Sequence, residues 1–438
     1  MDRKVAVSTA AIAAIALMLG ATAVPSSARY DEAGSYSDGV ALASDGSVVL
    51  LPANSAAHLL PGSRVLAPRA PGSGRFLGSG PSPAQELAAA QREWLTQGWL
   101  PEDVQYRELV RNALLDMRVL STNGATTAAG NPNWRYVWPR DASFVAVTFA
   151  ATGHLQEAVE ILEFLQDVQS EDGSFEARYL PDGSGPPDDR LPQTDGTGWV
   201  LWALDALIAA APGEQSEQLL QQFEPLRERS SAFLLDQVDN PHSLPPPSPD
   251  YWEHREEVLT LGTAAPVLIG LEAAARLASE RSDSNGYQDA TDAAADLREA
   301  IIGAFGGHGY GRYPGPSHAD AAVAFLLPPF QTSALPEAQQ AWAESIPLMG
   351  RPAGGLAPGA GWTEQNQSWT PQTALYALVA AASGDQDRAR AWLDWLADHR
   401  TPLGALPEKV NADGEPAGPA PLAWTCALVV LTVMELER

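Results

Sequence analysis

From about Pro83 to the last residue the chain repeats one kind of segment: a stretch rich in Ala and Leu at helical spacing, bounded by Gly, Pro or Asp. Such segments fall near 103–118, 139–152, 154–169, 195–211, 216–236, 260–279, 286–303, 318–327, 335–346, 368–382, 386–398 and 420–436. No convincing run of parallel strands lies between them, which leaves an all-α architecture. Two stretches far apart match in detail. Gly153-His154 is followed by Ala158, Leu162, Phe164 and Leu165, and Gly384-Asp385 by Ala389, Leu393, Trp395 and Leu396, at the same offsets. Each runs into a loop carrying Gly, an apolar residue and Glu: Gly173-Ser174-Phe175-Glu176 and Gly404-Ala405-Leu406-Pro407-Glu408. Helical hairpins therefore recur along the chain. Six of them closing on themselves predict an (α/α)6 barrel over 83–438, with the long loops gathered at one end.

The segment 29–82 differs. Short runs such as Val40-Ala41-Leu42 and Ser47-Val48-Val49-Leu50-Leu51 are separated by Asp-Gly and Pro-Gly turn signals. It reads as a strand-rich N-terminal arm lying against the barrel, too short for a core of its own. Ahead of it, Arg3 and Lys4 precede an apolar run from Ala6 to Val24, with small residues at Ser26 and Ala28. Residues 1–28 read as a signal peptide or, uncleaved, as a membrane anchor. The expected location is secreted or extracytoplasmic, and no other stretch is expected to cross a bilayer.

Composition excludes several classes. Hydrophobic residues at 45% are too many for a disordered chain. A formal charge of −27 repels phosphate backbones, so nucleic acid is not an expected partner. The single cysteine, Cys426, leaves no intramolecular disulfide. The seven histidines form no pair at metal-ligand spacing, and neither a Gly-x-Ser-x-Gly elbow nor a phosphate-binding glycine loop is present. The chemistry is expected to need no metal and no organic cofactor, and the chain is expected to be a monomer.

Functional side chains concentrate on loops held by a rigid scaffold. The first candidate is Trp134-Arg135-Tyr136-Val137-Trp138-Pro139-Arg140-Asp141. Indoles beside an Arg–Asp pair suit a sugar, whose ring faces stack while its hydroxyls take charged hydrogen-bond partners. The same residues also fit Asp141 capping a helix, Arg140 pairing with it and the tryptophans in the core. The second is Arg190-Leu191-Pro192-Gln193-Thr194-Asp195-Gly196-Thr197-Gly198-Trp199, where Asp195 is equally a candidate N-cap. The third is Asp250-Tyr251-Trp252-Glu253-His254-Arg255, which reads either as an exposed polar turn or as a carboxylate pressed against Trp. Such a carboxylate would be desolvated and suited to a general acid. The fourth is Glu408, on a Gly/Pro-rich loop ahead of Pro421-Leu422-Ala423-Trp424. Two carboxylates on loops at one rim, among Trp and Arg, are the layout of a glycoside hydrolase.

These motifs resemble glycoside hydrolase family 15, the glucoamylase-like family of inverting, exo-acting α-glucosidases on an (α/α)6 barrel. Tyr136-Val137-Trp138-Pro139-Arg140-Asp141, Asp250-Tyr251-Trp252-Glu253, Gly311-Arg312-Tyr313-Pro314 and Glu408…Trp424 occur in its order and rough spacing, over about residues 100–438. The resemblance implies Glu253 as general acid and Glu408 as general base. It implies Arg140 and Asp141 as a clamp on the terminal glucose, and Arg312 as a second polar contact. Trp138, Trp252 and Trp424 become apolar walls, and Gln193 and Asp195 a polar loop beside the pocket. Asp250 would assist the water or hold the acid in place. His254 departs from the second Glu common after the acid, and Trp134 stands where a Tyr near the catalytic water is common. In place of the large β-sandwich of bacterial members there is only the short arm. The leading expectation is release of glucose from non-reducing ends of α-glucosides or short oligosaccharides. The alternatives are an α-1,6-specific isomaltose/dextran glucohydrolase, a trehalase, and a non-catalytic sugar-binding protein on the same fold.

Overall fold

A computed structural model describes residues 36–68 and 81–438. The proposed signal peptide and the ends of the arm lie outside the described residues. Strands β1 (Ser37–Leu42) and β2 (Val48–Pro52) pair as an antiparallel hairpin. Helices α1 (Pro83–Gln97) and α2 (Val104–Leu120) follow, then the two-residue strands β3 (Ser121–Thr122) and β4 (Ala125–Thr126). The remaining helices are α3 (Pro139–Ala151), α4 (Leu155–Val168), α5 (Thr194–Ala210), α6 (Gly213–Gln222), α7 (Glu224–Val238), α8 (Leu261–Glu280), α9 (Ser284–Phe305), the 3-10 helix Ala321–Leu326, α10 (Ala338–Met349), α11 (Thr370–Ala382), α12 (Gln386–Asp398) and α13 (Ala423–Leu436). Strands β5 (Gln367–Trp369), β6 (Lys409–Asn411) and β7 (Pro416–Ala417) form a small sheet.

Packing closes a ring. α3 lies against α5, α5 against α8, α8 against the 3-10 helix, that helix against α11, α11 against α13, and α13 back against α3. The outer shell is α2, α4, α6–α7, α9, α10 and α12. The chain is an (α/α)6 barrel. Composition tells the two rings apart. In α3, α5, α8, α11 and α13 most residues are buried, and the sequences are largely apolar on all sides. α4 and α12 bury one stripe of Ala and Leu and turn Glu, Gln or Asp outward. Gly198 allows a close crossing of α5 and α8: a Cβ there would meet the Pro266 carbonyl oxygen of α8 at 2.1 Å. Its place in the second motif is thus explained by helix packing.

Four sequence expectations change. α1 was not foreseen. The helix expected over 216–236 is two, because Pro225 at the start of α7 cannot continue the hydrogen-bond ladder of α6. The segment 318–327 forms only a 3-10 helix. α8 is long and apolar enough to cross a membrane, contrary to the reading that no stretch beyond the N-terminus is; 89% of its apolar window is buried inside the barrel.

Candidate active site

Because an outer helix running back separates each inner helix from the next, the inner helices all start at the same end. Their starts touch around the ring. Arg140 in the first turn of α3 reaches Asp195 in the first turn of α5 (3.6 Å). The backbone N–H of Thr194 donates to Ser248 Oγ in the loop before α8 (3.0 Å). That loop's Asp250 and the 3-10 helix's N-cap, Asp320, share Arg312 (3.0 and 3.1 Å). The hydroxyls of Thr370 and Thr425 join α11 to α13 (2.9 Å), and the guanidinium of Arg140 lies over the ring of Trp424 in α13 (5.2 Å). The N–H of Thr370 donates to the Glu408 carbonyl oxygen, so Glu408 stands at this end too.

Arg140 is the hub. It is buried and pairs with Asp141 (3.3 Å), Asp195 (3.6 Å) and Glu253 (3.3 Å). Burial disfavours its charge, yet the three carboxylates outweigh that and hold its pKa above the ordinary Arg value. Two of those carboxylates, Asp141 and Asp195, are buried. Burial therefore raises Asp141, and pushes Asp195 up to about 7 against the pull of Arg140, with Asp250 and Glu253 adding to the rise. Asp195 is not the N-cap of α5; Gln193 occupies that position, buried and without a side-chain cap bond. Both oxygens of Asp195, Oδ2 of Asp141, and Nε and Nη1 of Arg140 are buried with no hydrogen-bond partner in the protein. So are the indole N–H groups of Trp138, Trp252 and Trp424. Buried polar groups are normally hydrogen-bonded, so this concentration of unpartnered ones marks the candidate site.

Glu253 does not sit where the sequence placed it. It adopts φ +57°, the left-handed region that a non-glycine residue enters at a cost, and its N–H donates to the Asp250 carbonyl oxygen (2.8 Å). The turn carries its carboxylate to Arg140 and to Arg190 Nη1 (2.9 Å), with a quarter of the side chain exposed. The expected partner, Trp252, stacks on the Arg312 guanidinium instead (3.9 Å). Two guanidinium groups, rather than an indole wall, surround the candidate acid. Arg190 also approaches Asp188 (3.4 Å), which pairs with Arg178, and Arg178 lies over the rings of Tyr136 and Trp138.

Two other residues of these motifs, Asp250 and Arg312, are engaged mainly by the protein itself. Asp250 is fully buried. Its Oδ1 accepts from the N–H of Trp252 and from Arg312, and its Oδ2 from Thr260 Oγ1. With both oxygens spent on these partners, it holds in place the turn that carries Glu253, one of its two expected roles. Arg312 spends both Nη nitrogens on Asp250, Glu256 and Asp320 and so braces the loop beneath Trp252, while its Nε has no hydrogen-bond partner in the protein. A cavity of about 550 Å³ opens here, lined by Trp252, Arg312 itself, Tyr313, His318 and Gly361 among others.

Glu408 is nine-tenths buried and accepts from the indole N–H of Trp134 (3.1 Å). Sequence reasoning missed Arg178, Asp188 and Arg190 as a chain, and missed Trp362 and Trp369. Trp362 stands edge-on to Trp252 (4.8 Å) and Trp369 (5.2 Å) and stacks on His254 (5.6 Å), while Lys409 lies over Trp369 (4.2 Å). An aromatic wall thus runs from the neighbour of Glu253 to the neighbour of Glu408. Two tryptophans seven residues apart carry no periodic signal, so only the fold could join them.

No protein-family model matches the chain. A stretch of 100 residues, 22% of this chain, is 32% identical to an uncharacterized glycosyl hydrolase of Methanocaldococcus jannaschii and spans 16% of that protein's length. A glycosidase variant solved in complex with glucose superposes with a TM-score of 0.63 at 22% identity, over 77% of this chain and 99% of that one. A bacterial glucoamylase solved with acarbose superposes with a TM-score of 0.65 at 16% identity, over 81% of this chain and 58% of that one. At these identities the structural likenesses establish the barrel fold.

Proposed function

We propose that this protein is an inverting, exo-acting α-glucoside hydrolase that releases glucose from the non-reducing ends of α-glucosides or short oligosaccharides. The observation that carries the reading is the buried Arg140–Asp141–Asp195 cluster. Its unpartnered polar atoms are walled by tryptophans at the rim where Glu253 and Glu408 both stand. The glucose and acarbose bound by the structurally similar enzymes support a glucose-sized occupant. Hydroxyls of the terminal sugar take the free positions of Arg140, Asp141 and Asp195, and Trp138, Trp252 and Trp424 cover the ring faces. As the sugar engages Arg140, Glu253 loses one of its two cations and can carry the proton that the glycosidic oxygen receives. Glu408, oriented by Trp134, accepts a proton from the attacking water on the opposite sugar face. An inverting pair needs carboxyl groups about 6.5–9.5 Å apart, which leaves room for that water. Export through residues 1–28 belongs to this proposal, supported by Arg3, Lys4 and the apolar run after them.

The test is incubation with maltose, isomaltose and trehalose, with proton NMR of the first product. Release of β-glucose from an α-linked substrate is expected. α-Glucose would make the enzyme retaining and remove the base role of Glu408. Binding without release would leave a sugar-binding protein on this fold.

A further inference from the structure

The arm meets the barrel along one line of contacts. Ser37 is fully buried, and its hydroxyl lies 2.9 Å from both Asn131 Oδ1 and the Ala420 carbonyl oxygen while accepting from the Ala420 N–H (3.0 Å). Its single proton serves one acceptor at a time, so Ser37 is a junction between two barrel loops. The Asp38 carbonyl oxygen accepts from Thr401 Oγ1 (2.6 Å), and Arg64 Nη1 donates to the Leu403 carbonyl oxygen (2.9 Å). Arg64 is itself fixed by Asp116 on α2, through Nε and Nη2. Gly130 permits the approach: a Cβ there would meet Val40 Cγ1 at 2.5 Å.

The positions held this way are 401, 403 and 420, which bracket Glu408 on both sides. The fourth, Asn131, accepts the Trp134 N–H on its carbonyl oxygen (2.9 Å), and the indole of Trp134 donates to Glu408. Both the loop that carries the candidate base and the loop that carries its hydrogen-bond donor are therefore pinned by the same arm residue. The partners of Glu253 given above, Arg140 and Arg190, belong to the barrel.

We propose that the N-terminal arm is a positioning device for the water-activating carboxylate and that Ser37 is its positioning residue. This rests on the reading of Glu408 as the base. A base moved by a fraction of an ångström loses its line to the water, whereas binding of the sugar by the Arg140 cluster is untouched.

The test compares Ser37→Ala and Asn131→Ala, singly and together, with Glu408→Gln, using maltose and an activated aryl α-glucoside. Each single variant is expected to lower kcat roughly ten- to a hundredfold on both substrates with KM little changed. The acidic limb of the kcat/KM profile, which reports the base, should move to higher pH, because a weaker hydrogen bond from Trp134 stabilises the carboxylate less. The basic limb should stay. The double variant should lose no more than the worse single one, as expected for two ends of one link. Wild-type kcat and pH profile in folded Ser37→Ala would overturn the proposal. So would a fall in kcat that tracks lost thermal stability with both limbs in place. If Ser37→Ala does not fold, Asn131→Ala reads the same link from the barrel side. Full activity in Glu408→Gln would instead remove the reading of the site on which the proposal stands.

Discussion

The two candidate carboxylates are held in unlike ways. Glu408 lies in a loop tied through its main chain to the arm, to β5 and to α11, nearly buried, with a neutral indole donor on its oxygen. Glu253 is on a strained turn, partly open, with its carboxylate between Arg140 and Arg190. A nearly buried group whose loop is tied down on both sides responds little to its surroundings. A group held by charge at a partly open rim responds to salt, pH and whatever displaces its cations. For a hydrolase this division suits the two tasks. The base has to keep one line to a water, and the acid has to gain and lose a proton in each turnover.

The sharpest break of this comparison is replacement of the carboxylates themselves. Glu408→Gln should lower kcat by about 10³-fold or more on good and poor leaving groups alike, and Glu253→Gln should spare an activated aryl glucoside relative to maltose, since general acid–base assistance contributes about 10²–10⁴-fold. Equal leaving-group dependence in steady-state kinetics would show that the roles are not divided this way. Next in size, Arg64→Met leaves Asp116 fully buried without its cation. It should cost about 3–5 kcal/mol of stability by denaturant unfolding, on the base side of the molecule.

Asp195 tests the charged half through pH. Its pKa of about 7 in the folded protein stands above the ordinary value of 3.8. The native state therefore binds more protons than the unfolded one between those values. That stabilisation is complete below about pH 4 and is lost as pH rises through about 7. Scanning calorimetry should show Tm falling by a few degrees across that window, and a flatter dependence in Asp195→Asn. The smallest effect is at Arg190, whose side chain is more than a quarter exposed. Arg190→Met, or 0.5 M salt added to the wild type, should change kcat/KM only a few-fold, from about 1 kcal/mol for such a pair. The change should be larger for poor leaving groups. Ser37→Ala should show no such dependence on the leaving group.

Much of this was legible in the sequence, and the particular residues show why. The inner helices announce themselves because Val145, Leu201, Leu268 and Val429 sit in stretches apolar on every side, while Glu157 and Asp387 mark helices with an outward face. The loops were legible as places, since Trp138-Pro139-Arg140-Asp141 and Trp252-Glu253 combine side chains that neither a core nor an ordinary turn needs. The roles within the loops were not. Adjacency in sequence suggested that Trp252 desolvates Glu253, but the carboxylate meets Arg140 and Arg190 while Trp252 stacks on Arg312. Arg312 read as a contact for a ligand, and the sequence did not show that three carboxylates also fix it as a brace.

The sequence by itself determined an all-α barrel of helical hairpins, a strand-rich arm and the two loops that carry Glu253 and Glu408. These follow from hydrophobic periodicity and turn chemistry, which act over a few residues and are written in local order. The tertiary structure alone decided that Arg140 gathers Asp141, Asp195 and Glu253, that Trp362 and Trp369 extend the wall, and that Ser37 sits between Asn131 and Ala420. Those pairings span tens to hundreds of positions. A side chain's charge and burial depend on which distant loops close around it, and no local pattern records that closure.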